Sequence, residues 1–246
     1  MLKTLSNWLA GAALLALSGL VQAENYDYLL LASSWEPGFC ATHQGNTECA
    51  NLSSTSFAGS HLSLHGLWPN NYDGSYPSYC GVPQAQINLD RAPTWCSMAN
   101  YGLSSAMATQ LSTYMPGAAS CLDKHEWYKH GTCSDQGTDP NSYWATADWL
   151  VAKLGQTSFN KFIASKAGKY VSRSQLLAAF ETSFGSGSAA ALSLLCSSSG
   201  GKSYLTEARI ALDPAALGDF PAGSALVTDA GTAGTCPSSN IYIARP

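Results

Sequence analysis

Three of the five histidines lie in two short strings that also contain a carboxylate and a lysine. The first string, H-G-L-W-P, occupies residues 65–69, and the second, H-E-W-Y-K-H-G-T-C, occupies residues 125–133. Imidazole, carboxylate and ammonium groups can transfer a proton or balance charge near neutral pH. The two strings together predict acid–base chemistry on an anionic group, with His65 brought in from an earlier part of the chain.

The second string presents two pairs of polar side chains if it is helical. His125 and Lys129 share one strip of the helix surface, where they offer nitrogen donors to an anion. Glu126 and His130 share the adjoining strip, where the carboxylate can orient the imidazole and favour its protonated form. Two imidazoles can deprotonate an attacking hydroxyl and protonate a departing oxygen, while Lys129 balances charge on phosphoryl oxygens. The pattern predicts phosphoryl transfer that requires no metal.

A zinc helix of the H-E-x-x-H type is the competing interpretation of the second string. Its second histidine, His130, follows His125 by five positions instead of four, so the two rings point about 140° apart on a helix. Lys129 occupies the position of the second ligand, where a cation repels a metal. We therefore expect no metal site here.

The N-terminal segment has the pattern of a secretory signal. Lys3 is followed by the apolar stretch Trp8–Leu20 and the small-x-small ending Val21-Gln22-Ala23, which predicts cleavage after residue 23. The signal is expected at residues 1–23 and the mature domain at residues 24–246, in an exported protein that is periplasmic or extracellular. No membrane span is expected in the mature chain, because no apolar stretch there is long enough.

Composition excludes several classes of protein. With 46% hydrophobic and 11% charged residues, the chain is too apolar for a disordered or coiled-coil protein and must fold around a core. The net charge is −4, and it becomes more negative once Lys3 leaves with the signal. A broad basic surface for long nucleic-acid tracts is therefore not expected, and any polyanion must be held by a few local groups.

Eight cysteines follow the predicted cleavage point: Cys40, Cys49, Cys80, Cys96, Cys121, Cys133, Cys196 and Cys236. An even number in an exported chain predicts four disulfides. Structural zinc needs shorter paired spacings than the nine positions that separate the nearest two cysteines. Sequence alone allows many pairings, so the connectivity stays open at this point.

Hydrophobic periodicity and turn residues predict strands and helices in one α+β domain. The predicted strands are Tyr26–Ser34, ended by Pro37-Gly38; His61–Leu67, stopped by Pro69; Tyr204–Leu212; and Ile241–Ala244. The predicted helices are Leu103–Met115, Leu122–Thr132, one beginning at Asp139-Pro140, and one opened by a capping box of Ser172 and Gln175 that runs through Phe184. Trp127 is expected in the core.

The two histidine strings resemble the two active-site segments of the ribonuclease T2 family, which are secreted endoribonucleases of the transferase type. Further pieces agree in order, namely S-W-E-P-G-F-C at residues 34–40 and D-G-x-Y-P at residues 73–77. The first of these, together with Met115-Pro116-Gly117, looks nearest to the bacterial, periplasmic branch. The resemblance covers most of the mature chain and implies a single α+β domain with a central antiparallel β-sheet flanked by helices and linked by disulfides.

The resemblance implies a role for each polar residue of the two strings. His130 matches the base that takes the ribose 2′-OH proton, and His65 matches the acid that protonates the leaving oxygen. His125 matches the residue that holds the phosphate. Glu126 and Lys129 match the pair that polarises the phosphate and stabilises the pentacoordinate state.

A base pocket and a disulfide pattern are also implied by the resemblance. Trp68, Asn70 and Tyr76 match positions that line the base pocket, although some members have aspartate in place of Asn70, and a neutral amide should discriminate between bases differently. The implied disulfides are Cys80–Cys133 and Cys196–Cys236. For the remaining cysteines the preferred pairing is Cys40–Cys121 with Cys49–Cys96.

The activity implied by the resemblance is cleavage of single-stranded RNA to 2′,3′-cyclic phosphates and then 3′-phosphates, with low base specificity. It needs no cofactor or metal. DNA is not cleaved, because it lacks the nucleophilic 2′-OH. The substrate is contacted over a few nucleotides, and the enzyme is expected to act as a monomer.

Two rival interpretations stay open. A binding or inhibitory protein on the same scaffold could have lost catalysis, although the intact set of His65, Glu126, Lys129 and His130 argues against this. A Cys–His acyl hydrolase would need a free thiol at Cys133, close to His130. Measuring thiols in the unreduced protein separates these classes.

Overall fold

The computed structural model describes residues 25–136, 139–231 and 234–246. The predicted signal, residues 1–23, lies outside the described residues. The strands in the described part are β1 (Tyr28–Ser34), β2 (Ser63–Asn70), β3 (Lys169–Val171), β4 (Leu192–Ser199), β5 (Lys202–Leu212) and β6 (Ile241–Ile243). The helices there are α1 (Glu36–Thr42), α2 (Phe57–Ser60), α3 (Gln84–Leu89), α4 (Ser105–Tyr114), α5 (Leu122–Lys129), α6 (Pro140–Gln156), α7 (Ser158–Ser165) and α8 (Arg173–Phe184).

The strands form one sheet in the order β2-β1-β5-β6-β3, with β4 also paired to β5. β5 is the longest strand and organises the sheet, because β4 pairs along one of its edges while β1 and β6 pair with successive parts of it. The β5–β6 pair is parallel and the other pairs are antiparallel. The predicted α+β class with a mainly antiparallel sheet is confirmed.

Two prolines act differently from their predicted roles. Pro37 does not end β1; it lies in the first turn of α1, where a proline is favoured because no backbone N–H is needed there. Pro69 does not stop the second strand, because β2 continues to Asn70. β2 lies at the end of the strand order, and an edge strand tolerates a missing N–H.

Buried apolar side chains fix the helices against the sheet that carries the first histidine string. The predicted helix beginning at Asp139-Pro140 is confirmed as α6, and the Asp139 carboxylate accepts hydrogen bonds from the first-turn backbone. Tyr143 on α6 is fully buried and donates a 2.7 Å hydrogen bond to the carbonyl of Leu67 on β2. Trp127 of α5, expected in the core, is partly buried and packs against that core from outside. No helix in the described parts of the chain combines the length and the apolar sequence needed to cross a membrane.

Four disulfides join the eight cysteines, and half of the expected pairing is correct. Cys80–Cys133 and Cys196–Cys236 are confirmed. The expected pairs Cys40–Cys121 and Cys49–Cys96 are wrong, because the structure contains Cys40–Cys49 and Cys96–Cys121 instead.

Local structure explains each of the two disulfides that differ from the expected pairing. A short helical turn at Thr47–Asn51 follows α1 and brings Cys49 back to Cys40, so that their Cα atoms are 5.5 Å apart. The turn Ala92–Ser97 packs on α5, which places Cys96 next to Cys121 at the start of that helix. Both pairs join segments that are already neighbours.

Candidate active site

Strand β2 and helix α5 bring the two histidine strings together through one carboxylate. Glu126 on α5 lies with Oε1 3.4 Å from Nε2 of His65 on β2. The other carboxylate oxygen, Oε2, accepts a hydrogen bond from the indole N–H of Trp68. The side chain of Glu126 is almost completely buried at this junction. One acidic residue thereby contacts both the histidine and the tryptophan of the first string.

Gly66 is the residue that permits this approach. A Cβ atom at this position would lie 2.3 Å from Oε2 of Glu126 and 2.3 Å from Nε1 of Trp68. Real side chains do not tolerate contacts this short, so any larger residue must displace the carboxylate or the indole. The glycine of the first string is therefore required by packing at the site.

His65 lies between two carboxylates. Its Nδ1 is 2.8 Å from Oε2 of Glu207 on β5, on the opposite side of the ring from Glu126. Glu207 is itself paired with Arg209, two residues further along the same strand. Burial alone would lower the pKa of His65, but the hydrogen bonds and charges of the two carboxylates raise it to about 10. His65 is therefore an imidazolium at neutral pH.

Both carboxylates remain ionised beside this imidazolium. Burial alone would raise the pKa of Glu126, but hydrogen bonding and the charge of His65 lower it to about 2. The pKa of Glu207 is also lowered, because His65 and Arg209 outweigh the effect of burial. The negative charges hold the proton on His65 and orient its ring.

His130 lies in the opposite electrostatic state. Burial lowers its pKa to about 4; the charge of Glu126 opposes this shift and that of Lys129 adds to it. Its Nδ1 has no hydrogen-bond partner in the described part of the protein. The ring centre lies 5.2 Å from that of Trp68 and 5.9 Å from that of Tyr76. At neutral pH the imidazole is uncharged and free to accept a proton.

The predicted pairing of Glu126 with His130 is wrong. The expected helix Leu122–Thr132 ends at Lys129, and His130 is its C-cap residue with φ −115°. The Glu126 side chain turns towards His65 and Trp68, so it favours the protonated form of the histidine of the other string. His130 is kept neutral instead of charged.

His125 is anchored from outside the two strings. Its Nδ1 is 2.6 Å from Oδ1 of Asp90, and the phenol of Tyr79 donates a 2.6 Å hydrogen bond to the other oxygen of that carboxylate. The ring of Trp95 stacks on the imidazole at 4.9 Å between centres. The Nε2 atom lies 3.8 Å from Oε1 of Glu126. His125 therefore joins the same cluster with its orientation fixed by Asp90.

The three residues matched to a base pocket differ in their exposure and in their contacts. Tyr76 is 49% exposed, close to His130, and the Lys129 ammonium lies 5.9 Å from its ring centre. Trp68 is half-buried between the catalytic candidates, with the Arg209 guanidinium 4.9 Å above its ring. Asn70 uses its side-chain N–H₂ within the fold, as a 2.9 Å donor to the carbonyl of Trp68.

Four further residues build the site without having been predicted: Asp90, Trp95, Glu207 and Arg209. A signal existed for two of them, because Glu207 and Arg209 are charged residues two positions apart in a strand that is otherwise largely apolar. Alternate residues of a strand share a face, so this pair could have been assigned to one functional surface. Asp90 and Trp95 lie in the irregular segment before α4, which carries no comparable pattern.

The acyl-hydrolase interpretation fails on the structure. Cys133 is bonded to Cys80 with an S–S distance of 2.06 Å. All eight cysteines belong to the described residues, and none of them is free. The thiol nucleophile that this chemistry needs is absent from the described chain.

Comparison with known proteins defines the class to which this fold and site belong. Residues 26–220 match the model of the Ribonuclease T2 family, and the chain belongs to this family. Among its relatives is Ribonuclease I of Escherichia coli (strain K12), which is 36% identical over 236 residues. That alignment covers 84% of this chain and 87% of the relative.

Solved structures agree with the fold. The SF11-RNase associated with self-incompatibility in Nicotiana alata superposes with a TM-score of 0.62 at 18% identity, covering 90% of this chain and 100% of that one. Ribonuclease MC1 from the seeds of bitter gourd gives a TM-score of 0.59 at 20% identity, covering 88% and 100% of the two chains. The ribonuclease T2-like fold expected from the sequence is confirmed.

Proposed function

We propose that the protein is a transferase-type endoribonuclease that cleaves single-stranded RNA without a metal ion. The ribose 2′-OH attacks the adjacent phosphodiester, the bond to the 5′-oxygen breaks, and the products are a 2′,3′-cyclic phosphate and a free 5′-OH. A slower attack by water then opens the cyclic phosphate to a 3′-phosphate. Membership of the Ribonuclease T2 family supports this reaction.

One observation carries the assignment of roles: two neighbouring imidazoles hold opposite protonation states. His130, whose pKa is lowered to about 4, is the base that takes the 2′-OH proton. His65, whose pKa is raised to about 10, is the acid that protonates the departing 5′-oxygen. Both rings have their centres 5.2 Å from that of Trp68, so they serve one reaction centre. General acid and general base are both ready before substrate binds.

The remaining polar residues of the strings stabilise charge or position the acid. Lys129 and His125 supply nitrogen donors for the phosphoryl oxygens as negative charge develops on them. Glu126 is engaged with His65 and Trp68 in the free enzyme, so we infer that it acts chiefly by orienting and charging His65.

The substrate and the setting follow from the same chemistry. DNA is not cleaved, because it lacks the 2′-OH nucleophile. Cationic groups are few and local, so only a few nucleotides are contacted and RNA binding depends only weakly on salt concentration.

We further propose that residues 1–23 direct export and that residues 24–246 act as a monomeric catalytic domain. The four disulfides then form in an oxidising compartment, periplasmic or extracellular.

The products from the dinucleotide ApU in the presence of EDTA test the proposal. We expect adenosine 2′,3′-cyclic phosphate and uridine, at the same rate with and without the chelator. Loss of activity on chelation would refute the metal-free mechanism. No product from any RNA would instead favour the rival interpretation, a binding protein on the ribonuclease scaffold.

A further inference from the structure

Three tyrosines lie side by side across neighbouring strands at one end of the sheet. Tyr242 of β6 is paired in register with Tyr204 of the parallel strand β5 and with Tyr170 of the antiparallel strand β3. The ring centre of Tyr242 lies 5.6 Å from that of Tyr204 and 5.0 Å from that of Tyr170. The three rings, which we call the tyrosine row, therefore form one continuous aromatic surface.

The tyrosine row faces away from the core. Leu205, Ile241 and Val171, which adjoin the three tyrosines in their strands, are buried in the core. Successive residues of a strand point to opposite faces of the sheet, so the three rings lie on the outer face. Tyr170 is 52% exposed, and the other two rings are partly exposed. Core packing therefore does not explain this row of aromatic side chains.

Two lysines accompany the tyrosine row. The ammonium of Lys202 lies 4.5 Å from the ring centre of Tyr242, and Lys169 is exposed beside Tyr170 at the start of β3. Among the described residues, no ion pair engages either lysine. Residues 149–206, which include both lysines, contain six lysines and arginines and a single acidic residue, Glu181 of α8. The row thus lies in a basic part of an acidic protein and suits an anionic partner.

The tyrosine row lies on the same face of the sheet as the active site, because strand β5 contains a bulge. On β4, Leu195 is opposite Glu207 and Ser197 is opposite Tyr204, and the register shifts by one residue between these two pairs. Leu195 and Ser197 are two positions apart in β4 and share a face, so Tyr204 shares a face with Glu207. Three residues of a strand span roughly 10 Å. The row therefore begins close to the carboxylate that contacts His65.

We propose that the tyrosine row binds single-stranded RNA on the strand that flanks the cleaved bond, with bases stacked on the rings and phosphates held by Lys202 and Lys169. The inference rests on the proposed function, which makes RNA the substrate. Every base has a flat π-face, so stacking on tyrosine binds a single strand with little regard to its sequence. Bases of a duplex are already stacked on one another, so the row should favour single strands over duplexes.

The experiment uses oligonucleotides in which a single ribonucleotide defines the cleaved bond, because deoxyribonucleotides carry no 2′-OH nucleophile. Adenosine followed by deoxyuridine lies at the centre, with deoxythymidines on both sides. A companion substrate carries abasic sites in place of the deoxythymidines and has the same phosphates. The ratio of the two kcat/KM values therefore measures contacts with the flanking bases. The wild type should prefer the thymidine substrate by about fivefold or more, mainly through KM.

Variants of the tyrosine row locate these contacts. Tyr170→Ala and Tyr242→Ala should each lower the ratio towards one and leave kcat/KM on ApU unchanged, because a dinucleotide does not reach the row. Tyr170→Phe keeps the ring and should keep the ratio. Trp149→Ala is the matched control, because Trp149 of α6 is also exposed and has the Lys153 ammonium 5.7 Å from its ring centre. This control should keep the wild-type ratio.

The lysine that covers the row acts on phosphates and is tested separately. Lys202→Gln should raise KM for the thymidine and the abasic substrates alike, and it should weaken the dependence of KM on salt concentration. Lys153→Gln is its control and should change neither. An unchanged KM in the Lys202 variant would show that this lysine does not hold the strand.

Two results would overturn the proposal while the ribonuclease activity stands. A ratio near one in the wild type would show that the flanking bases are not bound, and this result requires no variant to fold. A wild-type ratio that persists in both alanine variants of the row would place the contacts elsewhere on the protein. Failure to cut ApU and both oligonucleotides would instead be a failure of the proposed function.

Discussion

His65 and Glu207 are joined by a 2.8 Å hydrogen bond between Nδ1 and Oε2, across 142 positions of sequence. The carboxylate comes from the central strand β5 and is held by Arg209, so it is rigid. This bond fixes which nitrogen of His65 faces Glu126 and the reaction centre. It also keeps the imidazole protonated, as an acid that donates to a leaving oxygen must be.

Glu207→Gln should move the alkaline limb of the kcat/KM profile to lower pH. In the proposed mechanism, activity requires protonated His65 and falls as pH rises through its pKa of about 10. Removing one of the two negative charges lowers that pKa, so we expect the limb to shift down by about one unit or more, with a smaller change in rate at pH 6. A pH–rate series against wild type measures the shift, and Glu181→Gln serves as control. An unmoved alkaline limb would mean that Glu207 does not charge His65.

Gly66→Ala should damage the site more than the fold. The added methyl group collides with the Glu126 carboxylate and the Trp68 indole, which must separate from His65 or from each other. We expect kcat/KM on ApU to fall by about a hundredfold or more, and the free energy of unfolding by about 1–3 kcal/mol. The matched control is Gly218→Ala, because no atom lies within 4 Å of a Cβ at that position. Near-normal activity in the Gly66 variant would show that the close approach is not needed for catalysis.

Asp148→Asn should stabilise the protein, and more so at high pH. Asp148 is buried on α6, where desolvation raises its pKa from 3.8 to about 7 despite a hydrogen bond from Gln110. The folded state therefore favours the neutral acid, and wild-type stability declines as pH rises from about 4 to 7 and then stays low. The neutral amide escapes this decline, so we expect a gain of about 1–3 kcal/mol at pH 8 and little gain at pH 4. Denaturant unfolding at the two pH values checks this, and an equal effect at both would contradict the buried-charge explanation.

The chemistry of the site was predictable where its residues lie close together in sequence. The types and spacing in residues 125–133 predict a helix with two histidines, a lysine and a carboxylate, and the string at residues 65–69 adds a third histidine. The division of base and acid between these histidines was implied only by the resemblance to the family. The structure changes the partnership within that set, because α5 ends at Lys129 and Glu126 turns to His65 instead of His130. Helical spacing predicts which side chains of one helix are neighbours. It cannot predict that the Glu126 side chain contacts a residue of strand β2 instead.

Long-range contacts limited the rest of the prediction. Asp90 is 35 positions from His125, and the packing of the irregular segment before α4 brings the two together. Glu207 is 142 positions from His65, and the pairing of strands in the sheet brings these two together. The disulfide error has the same origin, since the pairing of Cys40 with Cys49 depends on a turn that the polar loop sequence did not reveal. The strands and helices could be predicted from the local periodicity of apolar residues. For this reason the predicted α+β class is correct.

The most direct test is an NMR titration of the imidazole rings of His65 and His130 in the metal-free enzyme, assigned with the variants His65→Ala and His130→Ala. The proposed mechanism predicts two widely separated midpoints, with His65 still protonated well above pH 8 and His130 still neutral below pH 5. The acid and base limbs of kcat/KM for ApU should follow the same two groups. Midpoints that coincide near pH 6.5, or that occur in the reverse order, would contradict the division of acid and base between these residues.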